Sequence, residues 1–344
     1  MKAVLIGLGM VADTHLAALH ASQTVDLHGV LGRRRETTEA YAEKASTLLG
    51  RDILTYESVA AVASDAEVDF AIVATPPDSH SAIVSQLADA GKPVLLEKPI
   101  ERTLDAAQAL VVHCERAAVP LGVVLQHRAR EVSHQLKSAV STGELGQIIA
   151  ADIRVPWWRD QSYYDAPGRG TYDRDGGGVL ITQAIHTIDL ALWLLGPMAR
   201  VQALLRRTAA HELEAEDWAG AVFTTEDGVA GTLMATTACY PGTSESILLQ
   251  GTKGTALLQG NALQISAMKK DTVAYGAISG SGGGADPMAF THDWHQTIIE
   301  DFAASVRSGN VPIAAGKSAL MAHAAIEAIE RSNRRGERVH VRQV

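Results

Sequence analysis

Short apolar runs alternate with longer amphipathic stretches over the first 125 residues of the chain. The apolar runs lie at residues 3–6, 25–31, 68–74, 93–96 and 121–125. Between them, residues 11–21, 36–49, 79–90 and 103–117 repeat apolar positions at helical spacing. Near-continuous apolar strands separated by helices are typical of a parallel sheet that is covered on both faces. The pattern therefore predicts a doubly wound α/β domain over residues 1–125.

The pattern changes in the second part of the chain, where strands follow one another without helices between them. Strand candidates lie at residues 148–155, 201–207, 218–225, 229–237, 246–250, 255–258 and 262–266. One long helix is predicted over 178–195 and two closing helices over 291–307 and 317–333, and the glycine-rich stretch 276–287 is predicted to be a mobile loop. Residues 126–344 are therefore predicted to form an α+β domain with a large, mostly antiparallel sheet.

Composition narrows the class of protein. The 344 residues are 47% hydrophobic and 20% charged, which is ordinary for a folded globular chain. The net charge of −9 gives no basic face for DNA or RNA, and no apolar run approaches the ~18 residues of a membrane span. Two cysteines cannot form a disulfide framework, and glycines interrupt the apolar N-terminus. We expect a cytoplasmic protein with neither a nucleic-acid nor a membrane partner.

A glycine-rich turn follows the first predicted strand directly. Its G-x-G-x-x-A sequence begins at Gly7 and has Gly9, Met10, Val11 and Ala12 at its later positions. The first glycine permits a tight turn, the second allows close approach to a pyrophosphate, and the alanine keeps helix and strand close. We place Gly7, Gly9, Met10 and Val11 at a dinucleotide; the alternative is a purely structural turn.

The end of the second predicted strand bears on the choice of cofactor. Sites for NAD usually place an acidic residue there to bind the ribose 2′-hydroxyl, but residues 27–35 contain none. Arg33 and Arg34 are suited to the 2′-phosphate of NADP. The sequence therefore predicts an NAD(P) site that favours NADP. The alternative is that both arginines form only a solvated, basic start to the next helix.

Three further segments carry a family resemblance. They are Thr75-Pro76-Pro77-Asp78-Ser79-His80, Glu97-Lys98-Pro99, and Gly176-Gly177-Gly178 followed by His186 and Asp189. Together with the glycine turn, in this order and spacing, they resemble the glucose–fructose oxidoreductase/inositol dehydrogenase (Gfo/Idh/MocA) family over essentially the whole chain. The resemblance implies a Rossmann domain, and a second domain whose open sheet forms a homodimer or homotetramer. It also implies reversible hydride transfer between NAD(P) and a secondary hydroxyl of a sugar, sugar acid or cyclitol.

The resemblance also assigns residues to roles. Lys98 takes the position of the family's lysine near the nicotinamide and the reacting hydroxyl. Thr75, Pro76 and His80 take positions at the nicotinamide ribose, and Glu97 either orients Lys98 or binds ribose. For His80, a purely structural place at the start of a helix is the competing interpretation. Where the family has an Asp-x-x-x-His pair, this chain keeps His186 but has Thr182 in place of the aspartate.

The chemistry of the reaction supports His186 as a catalytic residue. Oxidation of an alcohol needs a base with a pKa near neutrality, and histidine meets that need. Thr182 and Asp189 lie four residues before and three after His186, so a regular helix would put all three on one face. Thr182 could then orient His186 or bind a substrate oxygen. The alternative for His186 is a buried, purely structural histidine.

Aromatic residues and arginines are concentrated in one aromatic segment, residues 157–171, although the whole chain has only 5% aromatic residues. Aromatic faces and guanidinium donors suit a polyhydroxylated, and also an anionic, ligand. Candidate substrate-binding residues, including two after the last strand of the first domain, are Gln126, Arg128, Trp158, Arg159, Tyr164 and Arg169. Packing between domains is the alternative. His292 and His295 have metal-ligand spacing, but no third ligand is evident, so no metal site is predicted.

The sequence is compatible with three functions. The first is an NAD(P)-dependent dehydrogenase of a sugar, sugar acid or cyclitol. The second is a catalytically silent nucleotide-binding regulator of the same fold, which the Thr182 substitution favours but the retention of Lys98 and His186 opposes. The third is a glycoside hydrolase that uses bound NAD for transient redox chemistry. A fold alone cannot decide among them.

Overall fold

A computed structural model describes residues 1–278 and 291–344 of the chain. The strands are β1 Lys2–Ile6, β2 Asp26–Leu31, β3 Leu54–Thr55, β4 Phe70–Val73, β5 Val94–Leu96, β6 Leu121–Val123, β7 Ile148–Pro156, β8 Met198–Arg206, β9 Trp218–Thr225, β10 Ala230–Thr236, β11 Ser246–Gly251, β12 Gly254–Gln259, β13 Ala262–Ala267, β14 Val273–Gly276 and β15 Val339–His340. The α-helices are α1 Ala12–Ala21, α2 Arg35–Leu49, α3 Val59–Ser64, α4 His80–Asp89, α5 Leu104–Arg116, α6 Glu131–Ser141, α7 Gln161–Tyr164, α8 Ile185–Leu195, α9 Asp293–Ser308 and α10 Gly316–Arg335.

Contacts between residues divide the chain into two compact units. The first unit comprises Met1–Ala129 and Thr291–Ala319, and the second comprises Arg130–Phe290 and Leu320–Val344. The division predicted at residue 125 differs because α9 packs in the first unit, against α1 and the turn that follows β6. Helical periodicity shows that a segment has an apolar face, but it does not show which sheet that face will cover.

The first unit contains a six-stranded parallel sheet in the order β3-β2-β1-β4-β5-β6. The chain moves outward from β1 to β3 and then crosses back to β4, so the strand order reverses between β1 and β4. Ligands of open α/β sheets bind beyond the carboxyl ends of the strands at such a reversal. The core beneath includes Leu5, Ile72 and Leu95, together with Ile298 and Phe302 of α9. This is the predicted doubly wound domain, and the prediction is confirmed.

The second unit contains a nine-stranded sheet in the order β14-β13-β12-β11-β7-β10-β9-β8-β15. All neighbouring strands are antiparallel except β7 and β10, which run parallel. Helix α8 packs against β7 and β11, and α6 packs against β12 and β13. The predicted α+β class with a mostly antiparallel sheet is therefore also confirmed. No helix among residues 1–278 and 291–344 is long and apolar enough to cross a membrane.

Several elements differ from the sequence predictions. The pattern misses β3, α3, α6, α7, β14 and β15, of which β3 and β15 are only two residues long. The helix predicted over 178–195 begins as a π-helical turn, Leu180–Ala184, before α8 starts. Of the predicted mobile loop at 276–287, residue 276 closes β14, and residues 279–287 lie outside the described residues.

Candidate active site

The turn after β1 has the geometry of a dinucleotide-binding turn. Gly7 has a φ of +100°, and a Cβ built there would lie 2.6 Å from the carbonyl carbon of Ala74, so no larger residue fits. A Cβ built at Gly9 would have no atom within 4 Å, so a phosphate can approach this backbone closely. Helix α1 follows, and no side chain caps its N-terminus. The open glycine and the positive end of α1 fit a pyrophosphate.

The residues predicted to select the cofactor lie at the edge of the same sheet. Gly32 follows β2, and its N–H donates to Thr38 Oγ1 at 3.0 Å, which fixes the turn into α2. Arg33 and Arg34 are exposed, and Arg34 is the residue before α2 begins. The neighbouring Arg35 differs because its Nε donates to Glu39 Oε1 at 2.7 Å.

Lys98 lies in the turn that follows β5. The strand ends at Leu96, and the N–H of Glu97 donates to Val73 O at 2.8 Å, which continues the sheet by one residue. Lys98 is half-buried, and the Lys98–Pro99 peptide bond is cis. The lysine therefore stands at the carboxyl edge of the sheet, beside the strand-order reversal where cofactors bind in this class of fold.

Glu97 is buried behind this turn with two histidines. Its Oε1 accepts a hydrogen bond from His15 Nε2 at 2.8 Å and lies 3.8 Å from His295 Nε2. Burial alone would raise the pKa of Glu97, but the hydrogen bond from His15 and the nearby positive charges outweigh it and lower that pKa. Burial lowers the pKa of His295 to about 3, so its ring is neutral.

Sequence reasoning missed this cluster. It found no third partner for His295, whereas the structure brings His15, Glu97 and His295 together with the facing atoms of all three within 4.8 Å. The available signal was weak. His15 shares the buried side of α1 with Leu16 and Leu19, and a histidine on an apolar helix face implies a buried polar partner.

His80 connects two turns at the cofactor edge. It is fully buried, its Nε2 lies 2.8 Å from Thr75 O, and its Nδ1 lies 3.1 Å from both Pro99 O and Ile100 O. Burial lowers the pKa of His80 in spite of these backbone contacts. Its geometry is that of a brace between the turns after β4 and β5. Contact of Thr75, the exposed Pro76 and His80 with a cofactor stays a prediction.

Gln126 and Arg128 lie in a short 3-10 turn after β6, within the first unit. The Arg128 side chain is buried, and its Nη1 donates to Ile313 O at 2.9 Å and to Ser318 Oγ at 3.0 Å. Arg128 therefore ties this turn to the segment between α9 and α10, through Ile313, and to the first turn of α10, through Ser318. Substrate contact by either residue stays a prediction.

In the second unit, a buried carboxylate fixes the start of the helix that carries His186. Glu216 accepts hydrogen bonds from Gly178 N at 3.2 Å and Leu180 N at 3.1 Å, and burial raises its pKa. A Cβ at Gly178 would lie 1.8 Å from Glu216 O, so only glycine can occupy this position. His186 then lies in the first turn of α8 and is 6% exposed.

The π-helical turn changes the expected relation between Thr182 and His186. Thr182 Oγ1 donates to Gly178 O at 2.6 Å and also contacts Gln183 Oε1. Regular α-helical spacing, on which the sequence argument put Thr182 and His186 on one face, does not hold through Leu180–Ala184. Turns of this type are frequent at functional sites. Gln183 Nε2 approaches Tyr163 Oη at 3.4 Å, so this turn meets the aromatic segment.

Three of the predicted substrate-binding residues of the second unit, Arg159, Tyr164 and Arg169, lie around Tyr163. Arg169 Nη1 donates to Tyr163 Oη at 2.7 Å, and the guanidinium carbons of Arg169 and Arg159 lie 4.6 and 5.7 Å from the tyrosine ring. Tyr164 Oη shares a 2.6 Å hydrogen bond with Thr237 Oγ1. Trp158 meets the exposed ring of Tyr240 edge-on at 5.4 Å. Aromatic faces beside two guanidinium groups suit a polyhydroxylated ligand.

A buried histidine–aspartate pair, also missed from sequence, supports this aromatic group. His211 Nδ1 lies 2.8 Å from Asp217 Oδ2, and its Nε2 lies 2.8 Å from the carbonyl oxygen of Arg159. Asp217 also accepts hydrogen bonds from Thr208 N and Oγ1 at 2.7 and 2.6 Å. These contacts hold the backbone of Arg159 in place.

The first unit thus has the glycine turn and carboxyl edge of a nucleotide-binding oxidoreductase domain, and sequence comparison identifies the family. The profile of an oxidoreductase family with an NAD-binding Rossmann fold matches residues 1–125, and the GFO/IDH/MocA C-terminal domain matches residues 133–257. The chain belongs to the Gfo/Idh/MocA family of oxidoreductases. The resemblance stated from the motifs is confirmed.

Individual relatives agree with this assignment. D-Apiose dehydrogenase of Paraburkholderia graminis is 27% identical over 100% of this chain and 90% of its own length. Inositol 2-dehydrogenase of Rhizobium meliloti is 24% identical over 95% of both chains. The crystal structure of the WlbA dehydrogenase from Bordetella pertussis, in complex with NADH and UDP-GlcNAcA, has a TM-score of 0.83 at 26% identity, covering 100% of this chain and 99% of its own.

Proposed function

We propose that this protein is an NAD(P)-dependent dehydrogenase that transfers hydride between the nicotinamide and a secondary hydroxyl or carbonyl of a sugar, sugar acid or cyclitol. One observation carries the proposal. The parallel sheet of the first unit presents, at its carboxyl edge, both a glycine turn open to a pyrophosphate and Lys98 in the turn after β5. A nucleotide site and a proton-donating side chain on the same edge are what a dehydrogenase requires.

Each part of the proposed reaction can be assigned to residues of the chain. The pyrophosphate would be held by the N-terminus of α1 and by Gly7, Gly9, Met10 and Val11. A bound nicotinamide would supply the hydride acceptor. Lys98 would donate a hydrogen bond from Nζ to the reacting oxygen. A ring nitrogen of His186 would take the hydroxyl proton during oxidation and return it during reduction.

Two observations support a sugar-type substrate. The group around Tyr163 offers aromatic faces beside the guanidinium groups of Arg159 and Arg169, an arrangement suited to hydroxyl-rich or acidic ligands. The named relatives act on apiose and inositol, and the related WlbA structure holds a nucleotide sugar acid. Thr182, in place of the family's aspartate, would contribute a neutral hydroxyl to this recognition.

The direct test is reduction of NAD+ and NADP+, followed at 340 nm, across a panel of aldoses, sugar acids and cyclitols. Turnover of one class would support the proposal and identify the substrate class. Cofactor binding without turnover of any compound in either direction would favour the silent regulator. Product release from glycosides with no net reduction of added cofactor would favour the NAD-dependent hydrolase.

We also propose a preference for NADP, supported by the exposed Arg33 and Arg34 after β2. A charge-assisted hydrogen bond contributes roughly 1.5–3 kcal/mol, which corresponds to at least tenfold in binding. We expect Arg33→Ala and Arg34→Ala together to raise the KM for NADP+ about tenfold or more, with the KM for NAD+ changed less than about twofold. Arg35→Ala is the matched control because Arg35 pairs with Glu39. Equal KM values for both cofactors in the unmodified enzyme would contradict this preference.

We further propose that the nine-stranded sheet forms a homodimer or homotetramer. One face carries the exposed side chains of Leu204, Val222 and Leu257, which lie on three different strands. Exposed apolar side chains that share one face of a sheet are typical of an interaction surface. We expect light scattering to give at least twice the 36.4 kDa chain mass, and Val222→Glu to give a single chain. A monomeric unmodified protein would contradict the proposal.

A reducing, cytoplasmic location is also proposed, because Cys114 and Cys239 are both free.

A further inference from the structure

A buried cluster in the first unit lies behind the turn that carries Lys98. Its members, His15, Glu97 and His295, are defined here as the His–Glu–His cluster. They come from three distant segments, namely α1, the turn after β5, and α9. The rings of His15 and His295 meet edge-on with their centroids 5.2 Å apart, and both histidines are at most 1% exposed. The cluster joins the helix of the nucleotide turn to the turn of the reactive lysine.

The two oxygens of Glu97 have different partners. Oε1 accepts from His15 Nε2 at 2.8 Å and faces His295 Nε2 at 3.8 Å. Oε2 accepts from the backbone N–H of Lys98 at 3.2 Å. The carboxylate therefore has the histidines on one oxygen and the lysine turn on the other. A displacement of His15 or His295 would therefore be transmitted to Lys98 through the rigid carboxylate of Glu97.

This arrangement is costly, which indicates a role beyond packing. A buried carboxylate loses its hydration, and apolar residues of similar volume are often as stable or more stable in such places. The charge of Lys98 opposes that of Glu97, and the carboxylate also accepts the hydrogen bond from His15 Nε2. His295 is neutral because it is buried near His15, Lys98 and His292, so it packs against the carboxylate without cancelling its charge.

We propose that His15 and His295 are positioning residues for catalysis: they hold Glu97 in one place, and through its carboxylate they fix the position and the charge of Lys98. The proposal rests on the proposed catalytic role of Lys98 and extends it to two residues that do not touch the reacting atoms. It also gives α9 a functional part, because that helix supplies His295.

The test compares leucine and glutamine at each histidine. Glutamine keeps an N–H donor for Glu97, whereas leucine has similar bulk and no donor. A misplaced catalytic group can cost on the order of 100-fold in rate. We expect His15→Leu to lower kcat roughly 10- to 100-fold, with KM values for cofactor and substrate changed less than about threefold. His15→Gln should recover most of the rate, and His295→Leu with His295→Gln should show a smaller difference of the same sign.

Two further readouts separate positioning from simple destabilisation. Without the hydrogen bond from residue 15, the buried Glu97 binds a proton more readily and loses the negative charge that faces Lys98. The alkaline limb of the pH–rate profile should therefore move to lower pH in His15→Leu and not in His15→Gln. The rate at which an amine-reactive reagent labels Lys98, measured by peptide mass spectrometry with the exposed Lys253 as internal reference, should change in the same variant. Labelling requires no turnover, so it remains decisive even if no dehydrogenase activity is found and the proposed function fails.

Two outcomes would overturn the inference. If leucine and glutamine variants agree in kcat, pH profile and Lys98 labelling, the cluster serves only to pack the core. If purified protein carries stoichiometric Zn²⁺ that His295→Leu loses, and removal of the metal by chelation reproduces the loss of kcat, then the cluster is a metal site.

Discussion

Lys98→Ala is expected to lower kcat by about 1000-fold, in the middle of the range that a single general acid or base contributes. Truncation removes the only atom of this side chain that can hydrogen-bond to a reacting oxygen. The backbone of the turn, including the Glu97 N–H bond to Val73 O, is not touched by the change. We therefore expect the Kd for NAD(P)H, measured by fluorescence titration, to change less than about threefold.

The comparison with Lys98→Arg sharpens this prediction. Arginine keeps the positive charge and the long apolar stem, but it does not release its proton at neutral pH. If Lys98 supplies charge alone, the arginine variant should retain much of the activity; if it moves a proton, both variants should fail. Full turnover by Lys98→Ala, with the fold and cofactor binding intact, would remove Lys98 from the mechanism.

His186→Asn is expected to lower kcat by roughly 100- to 1000-fold and to change the pH dependence of the oxidation. Oxidation needs the neutral imidazole to accept the hydroxyl proton, so the wild-type rate should rise with pH as this group loses its proton. Asparagine is smaller than histidine but can still form hydrogen bonds, and it does not titrate. The rising limb should therefore vanish, while the fold of the buried start of α8 is preserved.

A matched control exists within the same unit. His134 is exposed on α6 and meets Trp193 edge-on at 5.8 Å, away from the helix start that Glu216 holds. We expect His134→Asn to keep the wild-type rate and pH profile, measured by the same 340 nm assay. A His186→Asn enzyme that retains the rising limb would show that another group accepts the proton, and Asp189 would be the next residue to test.

The sequence predicted the fold class because its signals are local. The run at residues 3–6 leads into a glycine turn, and the conformation of Gly7 leaves no other residue possible there. The placement of α9 was not predictable in the same way, since its apolar face is equally compatible with either sheet. The π-helical turn Leu180–Ala184 was also hidden, because hydrophobic periodicity does not record the pattern of backbone hydrogen bonds.

The residues of the candidate site also differ in whether local sequence signals could identify them. Lys98 and His186 could be found because each lies in a short motif that can be read without knowledge of the tertiary structure. The His–Glu–His cluster could not, since it joins residues 15, 97 and 295 only after α1 and α9 have packed together. His211 and Asp217 lie close in sequence, but what makes them relevant is the contact with the carbonyl oxygen of Arg159, which no spacing reveals.

Because α9 belongs to the core of the first unit, the direction of protein synthesis limits when that unit can finish folding. Phe302 packs edge-on against Phe70 of β4 at 5.4 Å, and Ile298 and Ile299 fill the same core. A nascent chain therefore cannot close the hydrophobic core of its nucleotide-binding unit until the ribosome has delivered nearly the whole polypeptide. The larger segment of the second unit, Arg130–Phe290, lies between the two segments of the first, so it can begin to fold while the first unit still awaits α9.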